Sequence, residues 1–324
     1  MSQPRLGLAL GSGSARGWVH IGIIRALLEH GLVPAVVSGS SVGALVAAAY
    51  ASNKLDALES WVRTLTQGDV WRLVDTTFRG GVMNGTRLMT TIEEQMENPP
   101  IQDLEIAFAA VATDLYTGEE IWLQQGRVME AVRASSGLPG LFTPYWYQDR
   151  WLIDGGVVNP VPVSPCRAMG ADIVIAVDLS RPATRAAPRE RQHASTRAAD
   201  ASHEDSKAAG NIEHGNAILS RWSGMLDGLV ESFRTRRSEP GLIEVMSSAV
   251  GIMQDRITRN RLATDPPDLV LRPDLADFQL MDFHRAAEAI DRGLAYVADK
   301  SPQLQPIRLS MDQRAASGEP ATHG

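Results

Sequence analysis

Twice near its start, the chain runs an apolar segment straight into a glycine-serine turn and then into a helix-like segment. Leu6 to Leu10 leads into "GSGSARG" and a helix pattern from Trp18 to His30, closed by Gly31. Ala35 to Ser38 leads into "GSSVG" and a run of small residues from Val42 to Ala51. Short apolar runs without polar alternation read as strands buried on both faces. A helix after each strand makes the connection a crossover, so the sheet is expected to be mostly parallel and covered on both sides. Ile106 to Ala112, Glu120 to Leu123, Tyr145 to Ile153 and Ile173 to Leu179 supply further strand candidates. The fold class is therefore α/β.

The pattern breaks at Arg181. From there to Asn211 no Ile, Leu, Val, Met or aromatic residue occurs, and such a stretch cannot offset its ordering entropy by burial. Residues 181–215 are expected to be a disordered insert. Helical periodicity returns over residues 216–237, with Ile218, Trp222, Met225, Leu226, Leu229 and Phe233 on one stripe and arginines at the end. Further helix is expected to about Asn260, then a short strand at Leu269 to Leu271 and a helix near Phe283 to Asp299. On this reading, residues 1–180 form the core, 216–300 complete the same domain with helices, and 301–324 form a flexible tail.

Composition narrows the function. At 324 residues the chain can bury a full α/β core. A net charge of −7 gives no broad positive field, which argues against nucleic acid as a partner. Cys166 is the only cysteine, so no internal disulfide or cysteine-rich metal site can form, and a reducing cytoplasm is the expected compartment. No secretory signal or membrane span is visible; the longest apolar stretch is cut by Ser38-Gly39-Ser40-Ser41.

The first turn points backbone N–H groups and a helix N-terminus at an anion. A dinucleotide fingerprint needs a glycine where Arg16 stands and an acidic residue where Val36, Val37 and Ser38 stand. A phosphate loop needs Lys and Ser/Thr where Trp18-Val19 follow Gly17. Both nucleotide readings fail. An oxyanion hole remains, from the N–H groups of Ser12, Gly13 and Ser14 with Arg16 nearby; a turn with no ligand is the plainer alternative. Gly39-Ser40-Ser41-Val42-Gly43 fits G-x-S-x-G, a serine raised on a strand-to-helix elbow.

A Ser41 nucleophile needs a proton acceptor. His193 and His203 lie in the featureless insert, His214 at its edge and His323 in the tail, while His20 and His30 precede the serine. His284 alone stands in an ordered-looking segment, where it reads as a helix-start residue. Asp154 is the better candidate: a strand runs into Asp154-Gly155-Gly156, and the glycine pair allows a close backbone approach. Asp114 and Asp178 also end strands but lack the following glycines.

These pieces in this order resemble the patatin-like phospholipases: a glycine loop from Gly11 ending Arg16-Gly17, then the Gly39 to Gly43 elbow, then Asp154-Gly155-Gly156. "RASSGLPGLFTP", "DGGVVNPVPV" and "GADIVIAVDLS" extend the similarity to compact bacterial members of the RssA type, related to the catalytic domain of neuropathy target esterase. The resemblance implies a three-layer α/β/α sandwich and a serine acyl-hydrolase with a Ser-Asp dyad. By position Ser41 would be nucleophile, Asp154 base, and residues 12–14 the oxyanion hole, with Arg16 holding the loop or lending its charge. Ser135 and residues 139–142 would pack beside the site. Ser12 and Ser14 replace glycines common in the loop, which is compatible only with φ below zero at both; Gly137 replaces a serine found in many relatives. Such chemistry needs no cofactor or metal. A lipid ester is the implied substrate, with peripheral contact to the inner membrane face through residues 216–237. The alternative is a regulatory or scaffolding protein that keeps the fold with little catalysis.

Overall fold

The computed structural model describes residues 4–73, 85–180 and 242–317. The chain divides into two compact units, Met1–Arg185 with Met246–Gly324, and Ala186–Val245. The expected disordered insert and the amphipathic helix over 216–237 lie outside the described residues. The boundary at 245/246 falls inside the segment expected to complete one domain.

One mixed, mostly parallel sheet forms the centre. In chain order its strands are β1 (Leu6–Leu10), β2 (Val36–Ser40), β3 (Ala107–Asp114), β4 (Glu120–Leu123), β5 (Tyr145–Tyr147), β6 (Arg150–Asp154), β7 (Ile173–Val177) and β8 (Leu269–Leu271). Their order across the sheet is β5-β6-β3-β2-β1-β7-β8, with β4 also paired to β3. The β1/β2, β2/β3, β1/β7 and β7/β8 pairs are parallel; β4 and β6 run antiparallel to β3, and β5 to β6.

Period-two alternation divides the interior by size. Leu6, Leu8 and Leu10 with Ile173, Ile175 and Val177 face the larger core, while Ala9, Val174 and Ala176 face a smaller one with Val163 and Cys166. The helices α1 (Val19–Glu29), α2 (Val42–Ala51) and the late helix Ala286–Asp299 bury residues in the larger core; α7 (Val163–Ala168) lies on the other face. Between them come α3 (Leu55–Thr64), α4 (Gln67–Leu73), α5 (Thr86–Gln95) and α6 (Val128–Ser135); after them come α8 (Leu242–Thr264), α9 (Ala286–Asp299) and α10 (Ser301–Ser317). Helices α1 and α9 meet almost backbone to backbone. A side-chain carbon at Gly22 would lie 2.0 Å from the Ile290 carbonyl oxygen, and one at Gly293 would lie 2.5 Å from that of Val19.

Two expectations need correction. Tyr145 to Ile153 is not one strand but a hairpin, because Gln148 and Asp149 both take positive φ, 50° and 60°, and turn the chain in two residues. The segment expected as a flexible tail carries α10, in which Leu304 and Ile307 are buried against the core. A weak pattern interrupted by Pro306 hides these two anchors in the sequence.

Candidate active site

Ser41 stands between the end of β2 and the start of α2, with φ 59° and ψ −128°. That backbone is strained for a residue with a side chain, at a cost of about 1–3 kcal/mol, and persists only where its surroundings enforce it. The elbow glycines explain how. A carbon on Gly43 would sit 2.3 Å from the Leu10 carbonyl oxygen, and one on Gly39 would sit 2.4 Å from the Ala44 nitrogen. Only glycine lets α2 start this close to the ends of β1 and β2. The Ser41 N–H donates to Ser135 Oγ at 3.0 Å, and Ser135 in turn donates to the Val111 carbonyl at 2.5 Å. Ser135, buried at the end of α6, thus ties the elbow to β3.

Asp154 arrives from two strands away. Its strand β6 pairs with β3, Ala112 opposite Asp154, and Thr113 Oγ1 donates to the Asp154 carbonyl at 2.9 Å. Gly155 lets this corner press onto β3: a carbon there would lie 2.0 Å from the Val111 carbonyl oxygen. The loop that follows is pinned to β2 from below. Ser40 Oγ donates to the Asn159 carbonyl at 2.7 Å, and Ser38 Oγ to that of Pro162 at 2.5 Å. The serines of "VVSGSS" therefore dock the Asp154 loop onto the strand that carries Ser41.

The Asp154 carboxyl is 1% exposed. Its Oδ1 accepts from the Gly156 N–H at 2.7 Å, while Oδ2 is buried with no hydrogen-bond partner. Burial raises its pKa to about 6; the neighbouring Ser41 hydroxyl and the Gly156 N–H only partly offset the desolvation. Ser41 and Asp154 are thus neighbours without a hydrogen bond of regular geometry between them. Catalytic pairs commonly tighten only when substrate is bound.

The loop after β1 differs in detail from expectation. The Ser12 N–H donates to the Pro160 carbonyl at 2.8 Å, so it is not free to meet an oxyanion. Only the Gly13 and Ser14 N–H groups of the expected three remain. Ser14 has φ 50°, the left-handed conformation that glycine would adopt more readily, and its hydroxyl donates to the Leu280 carbonyl at 2.7 Å. Arg16 braces the loop, donating through Nε to the Gly13 carbonyl at 3.2 Å and through a terminal nitrogen to that of Leu179 at 2.8 Å. Gly17 leaves room for Val42, whose Cγ1 would lie 2.0 Å from an added carbon, and a carbon on Gly11 would lie 2.6 Å from the Val177 carbonyl oxygen.

Both serine and carboxyl line an open cleft of about 1250 Å³, mouth included. Its other walls are largely apolar: Leu45, Trp61 and Ile92 from α2, α3 and α5, Leu65 just after α3, Leu141 and Phe142 from the segment after α6, and Val250 from α8. Gln254 of α8 also lines it, a residue sequence reasoning missed because nothing in its local pattern distinguishes it. The rival groups are occupied elsewhere. Asp114 accepts from the Tyr116 and Thr117 N–H groups, Asp178 binds Ser180 and Arg272, and neither lines the cleft, nor does His284. His20 is fully buried, its pKa lowered to about 4 by desolvation, and bonds the Gly11 carbonyl as a neutral ring. Among the described residues no cluster of three metal-ligating side chains occurs, and no helix is long and apolar enough to cross a membrane.

A family model for patatin-like phospholipase matches residues 8–167. An uncharacterized NTE family protein of Mycobacterium tuberculosis is 33% identical over 347 aligned positions, covering 98% of this chain and 96% of its own length. The chain belongs to the patatin-like phospholipase family. Lysophospholipase NTE1 of Phaeosphaeria nodorum is 27% identical across 96% of this chain, though the match spans 20% of that longer protein. Lysophospholipase nte1 of Emericella nidulans is 26% identical across 90% of this chain and 18% of its own. Among solved structures, VipD from Legionella pneumophila aligns with a TM-score of 0.32 and 12% identity, covering 99% of this chain and 78% of its own; that similarity is too loose to carry an argument. Membership of the patatin-like phospholipases supports lipid ester hydrolysis as the broad activity.

Proposed function

We propose that the protein is a serine acyl-hydrolase that cleaves a fatty acyl ester of a phospholipid or lysophospholipid through a Ser41–Asp154 dyad. One observation supports this above the others: a strained, cleft-lining serine stands beside a buried carboxyl whose Oδ2 has no other partner, under walls suited to an acyl chain. Asp154 takes the proton of Ser41 as Oγ attacks the ester carbonyl. Its raised pKa makes it a stronger base than an ordinary carboxylate while leaving it ionised at neutral pH. The carbonyl oxygen gains charge and is met by the Gly13 and Ser14 N–H groups, each such donor being worth roughly 3 kcal/mol. The proton passes to the leaving alcohol, and water then releases the fatty acid from Ser41.

An apolar cleft that opens to solvent suits one acyl chain best, so a monoacyl lysophospholipid is the first substrate to try. Release of fatty acid from lysophosphatidylcholine, diacyl phosphatidylcholine and triacylglycerol, compared for wild type and Asp154→Asn, tests the reading. Loss of all release in the variant is expected; fatty acid release that survives Asp154→Asn would overturn the dyad. The proposed setting is cytoplasmic, at the inner membrane face. Contact through residues 216–237 is tested by vesicle sedimentation of a chain lacking them, where unchanged binding would remove that role.

A further inference from the structure

The cleft is apolar on nearly every side, yet at one place on its wall three polar side chains converge. They meet around Gly156, next to the candidate base. A side-chain carbon on Gly156 would stand 2.4 Å from Ser12 Oγ, 2.5 Å from Gln254 Nε2 and 2.9 Å from Asp154 Oδ1. Three elements supply these atoms: the loop after β1, helix α8 and the end of β6. Any side chain at 156 would collide with these atoms, so the second glycine of Asp154-Gly155-Gly156 is what lets them come together.

Ser12 makes this cluster unusual. Its N–H is committed to Pro160, so the residue contributes nothing there to an oxyanion hole. Its hydroxyl is buried and has no hydrogen-bond partner. An unsatisfied buried hydroxyl costs about 1–3 kcal/mol, which calls for a ligand with polar atoms of its own. All three side chains line the open cleft, where one small molecule able both to donate and to accept can meet them, as a water with two to four polar partners does.

We propose that Ser12 Oγ and Gln254 Nε2 hold the water that hydrolyses the acyl-enzyme. This rests on the reading of Ser41 and Asp154 as a hydrolytic dyad and adds two residues to it. Gln254 donates to the water oxygen, Ser12 completes its hydrogen bonds, and the Asp154 carboxylate accepts its proton. The water oxygen bonds to the acyl carbon, the bond from that carbon to Ser41 Oγ breaks, and the proton on Asp154 returns to Oγ. The products are free serine and fatty acid. Water positioned beforehand matters only in this second half-reaction, so its loss separates the two halves kinetically.

The test follows both halves with p-nitrophenyl decanoate in stopped flow, using Gln254→Met and, separately, Ser12→Ala. Each keeps side-chain bulk close to the original and removes the polar atom. Expected is a burst of nitrophenol at a rate within about twofold of wild type, followed by steady turnover at least tenfold slower. Intact-protein mass spectrometry should then show a decanoyl group accumulating on Ser41. Burst and steady rates that fall together, or turnover that stays at the wild-type level in both variants, would overturn the proposal. Failure of the dyad reading is distinguishable, because wild-type Ser41 would then never acquire the decanoyl group.

Discussion

Replacing Asp154 by Asn should raise stability while abolishing turnover, and the gain should depend on pH in a defined way. The carboxyl titrates near 6 in the folded protein, against an ordinary value of 3.8, because burial disfavours its charge. A group whose folded pKa is raised favours the folded state fully below the unfolded pKa, and loses that contribution as pH rises through the folded one. A shift of this size corresponds to about 3 kcal/mol in all, of which about 2 kcal/mol disappears between pH 4.5 and 8. Asn has nearly the same shape, and its amide oxygen can still accept from the Gly156 N–H. It carries no charge to desolvate. Urea unfolding of both proteins at intervals across this range isolates the effect, since every other titrating group is common to the pair. The stability of wild type relative to Asp154→Asn should fall by about 2 kcal/mol from pH 4.5 to 8, with unchanged m-values. A flat difference would show that Asp154 is hydrated and not held as described. The same titration governs activity: kcat/KM should rise through about pH 6 and level off above it, because only the ionised carboxylate accepts a proton.

Gly293→Ala would ordinarily favour a helix by about 1 kcal/mol, but here the new carbon meets the Val19 carbonyl at 2.5 Å. Thermal and urea unfolding should show a net loss of about 1–3 kcal/mol; a gain would mean that α1 and α9 are not packed this tightly. Cys166 is fully buried and its thiol pKa is pushed up to about 12 by desolvation. A disulfide reagent at pH 8 should therefore modify it only after denaturant is added, and rapid reaction of native protein would contradict its place on the buried face of α7. Ser135→Ala strips the Ser41 N–H of its acceptor and the Val111 carbonyl of a donor. It should cost about 1–3 kcal/mol of stability and slow acylation of Ser41, read as the burst rate with a chromogenic ester.

The strands and the two turns were legible because each is a local pattern: unbroken apolar runs, then glycines where backbone must approach backbone. The elbow and Asp154-Gly155-Gly156 could be placed for the same reason. What escaped depends on partners far along the chain. Whether the Ser12 N–H is free is decided by Pro160, and the conformation of Ser14 is held through Leu280. Gln254 reaches the site only because α8 crosses the cleft, which no nearby residue signals. The Gln148-Asp149 turn lacks the glycine that usually marks two positive φ angles, so the hairpin read as one strand. Helix α10 is anchored by Leu304 and Ile307, with Met311 packed against the same core, among ordinary surface residues, too sparse a stripe to distinguish from a tail.

A fluorophosphonate probe tests directly whether Ser41 is an activated nucleophile. Wild-type protein, Ser41→Ala and Asp154→Asn would be treated alike and digested, and the adduct located by mass spectrometry. One adduct is expected on Ser41 in wild type, none on Ser41→Ala, and labelling of Asp154→Asn slowed at least a hundredfold. An adduct on another serine, or undiminished labelling without the Asp154 carboxylate, would contradict that role.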